Sequence, residues 1–335
     1  MNSQTTSLPN MPEIILEKIL ENFEFFELLS IRKVCRSLRQ FINNYSNLNS
    51  NLNRIRITVD SKSIKSNYEF LDGTPELSLI YVRNPKKSSS VKFTKNGDEK
   101  VKILENSNHV DVFLEDFRIF WKNQKSKKVE KFALDLSGNP AKLLKELQKI
   151  LRFNQNFDVE NFEIDGSNST QIFSILSVIN TKNITIWNKN DDKEYLDLEE
   201  ISNLDQWKNG EKLGINGFYV DLEVEKFSHF SRVDLLFEVV KLEQVLEIKE
   251  MLLSHPNLEH FRIEFESFKD ERNLIKNFGQ PFFPPGQVEK FGKKWFFRIL
   301  DNSKVLEIRL HIGNKSLGFQ KINREYVPNG GVIQD

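Results

Sequence analysis

The sequence predicts an α+β chain with three successive textures. A short helical module comes first, then a small antiparallel sheet, then an irregular α/β stretch closed by a β-meander. Three observations carry this. Between Met11 and Ile42 apolar residues recur in steps of three and four, the spacing of a helical stripe. From Arg54 to Glu105 they recur in steps of two, and Asn96-Gly97 separates two such alternating runs. From Lys128 onward, strand-like and helix-like runs take turns at roughly 20–30 residues per unit.

In the first texture, Ile15, Leu16, Ile19, Leu20 and Phe23 form one helical stripe. Leu28, Ile31, Cys35, Leu38, Phe41 and Ile42 form another. Pro12 stands where a helix can begin, because a first-turn proline loses no internal hydrogen bond. Glu13 follows it, where a carboxylate favours the helix dipole. About 30 residues are too few for a core of their own. Their surplus apolar surface must face either later parts of the chain or another protein. Residues 1–10 read as a floppy tail, and NNYSNLNSNL at 43–52 as a helix exit and linker.

The second texture contains IRITVD after Arg54, ELSLIYVR (Glu76–Arg83), SVKFTK (Ser90–Lys95) and KVKILE (Lys100–Glu105). Asn-Gly between the last two is a hairpin signal, because both residues tolerate positive φ. Lys86 to Ser90 reads as an exposed turn. HVDVFLEDFRIFWKN at 109–123 then reads as a helix. Its stripe of Val110, Phe113, Leu114, Phe117, Phe120 and Trp121 is a core face.

In the third texture VEKFALDLS is a strand and Pro140–Phe153 a helix entered through Asn139-Pro140. Val159–Asp165 is a strand, and Gln171–Ile179 a helix entered through the capping residues Ser167-Asn168-Ser169-Thr170. Asn183–Asn188, Lys212–Val220, Arg232–Val239 and Leu258–Ser267 are strands, Leu198–Leu204 is a short helical piece and Glu243–Ser254 is a helix. Val129-Glu130-Lys131-Phe132, Val159-Glu160-Asn161-Phe162 and Leu258-Glu259-His260-Phe261 share one grammar. Strand and helix in this order resemble an irregular leucine-rich-repeat-like solenoid, with parallel strands and helices behind them. GQPFFPPG at 279–286 reads as a rigid connector. Lys293–Leu300, Lys304–Ile312 and Ser316–Ile322 are the closing strands, and 323–335 a loose tail.

The chain of 335 residues carries 48 basic and 48 acidic side chains, so no net charge draws it to nucleic acid or to an anionic membrane. Its 28 phenylalanines argue for a packed core. One cysteine, Cys35, excludes an internal disulfide and fits a reducing compartment. The first ten residues lack a basic start and an apolar run, and no apolar run reaches the ~20 residues of a membrane helix. A cytoplasmic or nuclear, non-secreted protein is expected, in which sequons such as Asn183-Ile184-Thr185 are accidental.

Chemistry-bearing constellations are scarce. Of five histidines only His255 and His260 are close in sequence, and the lone cysteine lies far from them, so neither metal nor cofactor is expected. His255 reads instead as a helix C-terminal residue. Cys35 sits on the apolar stripe, where a thiol is inert. Lys212-Leu213-Gly214-Ile215-Asn216-Gly217 lacks the context of a phosphate cradle, and Asp191-Asp192 reads as a solvated turn. KNQKSKK at 122–128 reads as a charged helix end. KFGKK at 290–294 lies beside Trp295, but zero net charge leaves nucleic acid unlikely as a partner.

The residues from Pro12 to Phe41 resemble the F-box, the helical module that docks on the small adaptor subunit of cullin-based ubiquitin ligases. Met11-Pro12 matches the opening Leu-Pro, and Ile19-Leu20, Phe23 and Glu27-Leu28 match the anchors that follow. Val34-Cys35-Arg36 and Leu38-Arg39 match the closing signature. Ile14, Phe25 and Leu38 stand where the family often has an acid, a proline and a tryptophan. The order F-box, strand region and alternating segment is similar to the FTH (FOG-homology) family. That likeness spans roughly Asn108 to Ile322 and is carried by texture such as HPNLEHFRIEF.

The resemblance implies an F-box module at 11–52, a small β region at 53–107 and an FTH-like repeat domain at 108–322. It implies a non-catalytic substrate receptor of an SCF-type ligase. Its partners would be the adaptor subunit and an unknown target protein, with no membrane involved. Residues implied in docking are Pro12, Ile15, Leu16, Ile19, Leu20, Leu28, Ile31, Val34, Cys35 and Leu38. The alternative is an interaction scaffold that docks without ubiquitination.

Overall fold

Three short helices open the chain, where stripes too small to form a core are tied to a larger sheet. The structure, a computed structural model, describes residues 8–20, 23, 25–32, 34–44, 52–71, 76–85, 87–122, 128–136, 138, 141–153, 157–189, 192–283 and 292–334. Residues 1–160 with 178–180 form one compact unit, and residues 161–177 with 181–335 form another.

In the first unit a 3-10 turn at Leu8–Asn10 leads into α1 (Glu13–Leu20), α2 (Phe25–Arg32) and α3 (Arg36–Asn44). β1 (Leu52–Val59), β2 (Ser63–Phe70), β3 (Leu77–Asn84), β4 (Ser88–Lys95) and β5 (Asp98–Leu104) then run as an antiparallel meander. Asn96 and Gly97 join β4 to β5 with φ of 55° and 83°, the left-handed pair that the hairpin signal required. α4 (His109–Lys122) lies against β2, β3 and β4. Phe113, Leu114, Phe117, Phe120 and Trp121 of its stripe are buried, as expected. Phe117 stacks on Phe113 with ring centroids 5.6 Å apart, and Trp121 meets Phe157 at 4.2 Å. β1 also pairs in parallel with β6 (Lys128–Asp135), so the antiparallel strands and the first strand of the α/β texture share a sheet. α5 (Ala141–Arg152) packs beside α4 and buries Leu143, Leu147 and Leu151.

β2 is a strand that the sequence reading omits. Its inward positions are Ile64, Ser66 and Tyr68, and all three are buried. A serine in the central inward position interrupts the apolar alternation from which strands are read.

β7 (Asp158–Asp165) spans the division between the units. The second unit continues with α6 (Ser169–Leu176), β8 (Asn180–Trp187), β9 (Glu194–Leu196), α7 (Asp205–Lys208) and β10 (Lys212–Val220). β11 (Arg232–Val240), α8 (Leu242–Ser254), β12 (His260–Phe268) and α9 (Glu271–Phe278) follow, then β13 (Lys293–Arg298), β14 (Lys304–His311), β15 (Ser316–Asn323) and β16 (Ile333–Gln334). The strand order is β16-β13-β14-β15-β12-β11-β10-β8-β7, with β9 beside β10. β8, β10, β11 and β12 are parallel, and β15 closes antiparallel on β12. A mixed α/β arrangement ending in a β-meander is therefore present.

Its connections are uneven. A 3-10 turn at Ile201–Asn203 and the four-residue α7 precede β10, and a 3-10 turn at Val224–Phe227 precedes β11. Asn168 caps α6 by accepting from the Gln171 amide at 3.0 Å, as its side-chain type predicts. Both apolar positions of each strand grammar are buried: Val129 and Phe132, Val159 and Phe162, Leu258 and Phe261.

Two further elements depart from the reading. α9 buries only Leu274 and Phe278, too few anchors to show a period. The segment after Ile322 is tied down rather than loose. A 3-10 turn at Arg324–Tyr326 leads to β16, which pairs with β13, and Gln334 Nε2 donates to the Phe278 carbonyl at 2.6 Å. Most of the amino-terminal tail and of the 43–52 linker lies outside the described residues, as do Lys86, Asn139-Pro140, Asp191 and 284–286 of the proline connector. So does most of the KNQKSKK run and the first half of KFGKK.

Candidate docking surfaces

The amino-terminal helices divide their apolar residues into two sets. Leu16, Leu20, Leu28, Leu38 and Ile42 are buried, and α2 and α3 pack on each other. Ile14 (69% exposed), Ile15 (45%) and Val34 (73%) remain open, Pro12 is exposed, and Ile19, Ile31 and Cys35 are half-buried. The ten residues singled out in sequence thus fall on both sides of this division, because the stripe period does not distinguish an inward from an outward apolar side chain.

Local hydrogen bonds set these positions. The Pro12 carbonyl accepts from the Ile15 and Leu16 amides at 2.9 and 3.0 Å, so α1 starts directly after the proline. Cys35 caps α3, its Sγ accepting from the Leu38 amide at 3.5 Å, in the place an N-cap serine usually takes. The thiol is half-buried rather than buried on the stripe.

A polar anchor fixes this module to its unit. Arg32, the last residue of α2, donates through Nη2 to Glu115 and through Nη1 to Asp116 Oδ1 at 3.3 Å. Tyr81 of β3 donates to the second Asp116 oxygen at 3.2 Å. Burial and the neighbouring Asp116 push the Tyr81 phenol well above its ordinary range, so it remains a donor. Sequence reading missed this anchor, since three residues 84 and 35 positions apart leave no local signal.

The second unit carries a polar furrow on one face of its sheet. Inward positions Ile184, Ile186, Leu213, Ile215, Val233, Phe261 and Ile263 are buried. The alternate positions line a cavity of about 360 Å³, among them Asn161, Asn183, Thr185, Asn216, Asp234 and Arg262. In register, Thr185 lies beside Gly214, Gly214 beside Asp234 and Asp234 beside Arg262, so the glycine opens the middle of the row. Asn183 donates to Asn161 at 3.0 Å, while Arg232 and Arg262 pair with Asp234 and Glu264 of their own strands, both at 2.7 Å. Tyr195 of β9 and Tyr219 of β10 stand side by side with ring centroids 5.5 Å apart.

Among the described residues no three His, Cys, Asp or Glu side chains group as a metal site. His255 ends α8, its amide donating to the Met251 carbonyl at 2.9 Å, as expected. His260 lies 3.5 Å from Asp234. Among the described residues no helix is long and apolar enough to cross a membrane.

Two family profiles match parts of the chain. The F-box domain profile matches residues 8–49, and the FTH domain profile matches residues 141–282. A relative, F-box A protein 224 of Caenorhabditis elegans, is 21% identical over 252 residues. That alignment covers 73% of this chain and 63% of the relative, so the chain spans less than two thirds of that protein's length. No solved structure matches the chain.

Proposed function

From a chain that carries an F-box segment ahead of an FTH domain, we propose a non-catalytic substrate-recognition adaptor of a cullin-based, SCF-type ubiquitin ligase. The α1–α3 module docks the small adaptor subunit, and the second unit offers its furrowed face to a target protein. The observation that carries this reading is the division of the helical stripe. Leu16, Leu20, Leu28 and Leu38 are buried, while Ile14, Ile15 and Val34 stay in solvent beside Pro12. Exposed aliphatics at the start of one helix and before another have no folding role, and hot spots of association are built from such side chains once a partner desolvates them. Ile19, Ile31 and Cys35, half-exposed, extend the docking set.

The adaptor acts by tethering, raising the local concentration of target beside the ubiquitin-loading machinery. The strand–helix succession of the second half supports an irregular leucine-rich-repeat-like solenoid as its scaffold. A reducing, cytoplasmic or nuclear setting suits a chain with a single thiol. Co-purification of the full chain with purified adaptor subunit tests the reading. Ile15→Glu with Val34→Glu is expected to weaken capture at least about tenfold with the melting temperature unchanged. Capture that survives this pair of charges rules the docking surface out. Target half-life with and without the chain then separates degradation from plain scaffolding.

A further inference from the structure

Among the described residues, the antiparallel meander ends in a strand with one pairing neighbour and an exposed outer edge. β5 is last in its sheet order, and its side chains from Asp98 to Ile103 are all exposed. Val101 and Ile103, at 63% and 68% exposure, point to the same face. Register places Val101 beside Lys92 and Ile80, and Ile103 beside Ser90 and Val82. Ile80 and Val82 are only half-buried, so they share the solvent face with Val101 and Ile103 across Lys92 and Ser90 of β4. Lys100 and Lys102 project from the opposite face of β5. Across the hairpin from residue 88 to 104 four lysines stand against two carboxylates, and one of those, Glu99, is paired with Lys92 at 2.6 Å.

An unpaired edge strand exposes backbone donors and acceptors that invite another strand, and lysines on it discourage indiscriminate pairing. Lysine alone does not account for two β-branched aliphatics kept side by side in solvent on the outermost strand. We infer that the β5 edge is a strand-addition site for an extended acidic segment of a partner protein, with carboxylates opposite Lys100 and Lys102 and aliphatic residues beside Val101 and Ile103. Main-chain hydrogen bonds supply the attachment and the alternating side chains the selectivity. A second copy fits poorly. Antiparallel self-pairing centred on Val101 sets Lys100 against Lys102, and pairing centred on either lysine sets it against itself. A lipid surface does not satisfy the edge amides and carbonyls.

Full-length protein panned against a displayed library of random short peptides tests this. Enriched binders are expected to alternate acidic with aliphatic residues. The strongest, synthesised, should lose at least about tenfold in affinity towards Lys100→Glu/Lys102→Glu protein, a variant of two exposed residues that should melt like the wild type. Amide exchange at 98–104 should slow in the complex. No enrichment, basic or non-alternating binders, affinity untouched by the charge reversal, or exchange unchanged at 98–104 would each overturn the inference. So would Lys100- and Lys102-dependent flotation with phosphatidylserine vesicles, or a dimer in sedimentation that Val101→Glu dissolves. All these readouts are independent of adaptor capture.

Discussion

Arg32 of α2 and Asp116 of α4 form a buried ion pair, with Nη1 3.3 Å from Oδ1 and both side chains at least 95% shielded. Tyr81 takes the other carboxylate oxygen. Removing one member of such a pair strands the other without its countercharge. Arg32→Met should therefore destabilise the chain by about 3 kcal/mol, read by urea denaturation. Pairing it with Asp116→Asn should recover part of the loss, since the charge then disappears with its partner. Equal losses in the single and double variants would detach this contact from stability.

Leu20 and Ile15 lie five residues apart on one helix and should fail in different assays. Leu20 is fully buried, so Leu20→Ala should lower folding stability by about 2–4 kcal/mol through lost contacts and a cavity. Ile15→Ala leaves a half-exposed site, and its stability change should stay within about 0.5 kcal/mol. Thermal melts of the two variants, run beside adaptor capture, assign each residue to packing or to docking.

Gly217 sits in β10 at φ +78°, where the register with β11 slips between Gly214 and Tyr219. An added Cβ would run into the Asn188 carbonyl. Gly217→Ala should cost about 1–3 kcal/mol from the left-handed backbone alone. Gly318→Ala, with open space around the position, should be near neutral. Denaturation midpoints of both variants give the comparison.

Glu266 of β12 accepts from Lys193 and from Lys315, and these hydrogen bonds hold its carboxyl at about 2 against an ordinary 4.5. A depressed carboxylate contributes stability that is whole above its unfolded pKa and is lost as pH falls through its folded one. The stability gap between wild type and Glu266→Gln should accordingly be constant above about pH 5 and close between about 4.5 and 2. A gap that does not change with pH would place the effect in packing.

Elements with strong local grammar were legible in sequence. The Asn96-Gly97 turn, the aromatic stripe of α4, the Asn168 cap and the closing strands all follow from side chains a few positions apart. What escaped depends on long range or on polar residues in apolar places. β2 hides behind a buried Ser66, β16 is two residues long, and the parallel pairing of β1 with β6 joins residues such as Arg54 and Lys131, 77 positions apart. The same limit applies to docking. Leu16 and Ile15 are neighbours of one chemical class, and only the fold assigns one inward and one outward.

Because the meander enters at the far margin through β13 and lays β15 antiparallel on β12, it works as a stopper for the parallel ladder. With backbone direction reversed at that border, β12 has both of its edges occupied, by β11 on one side and by β15 on the other.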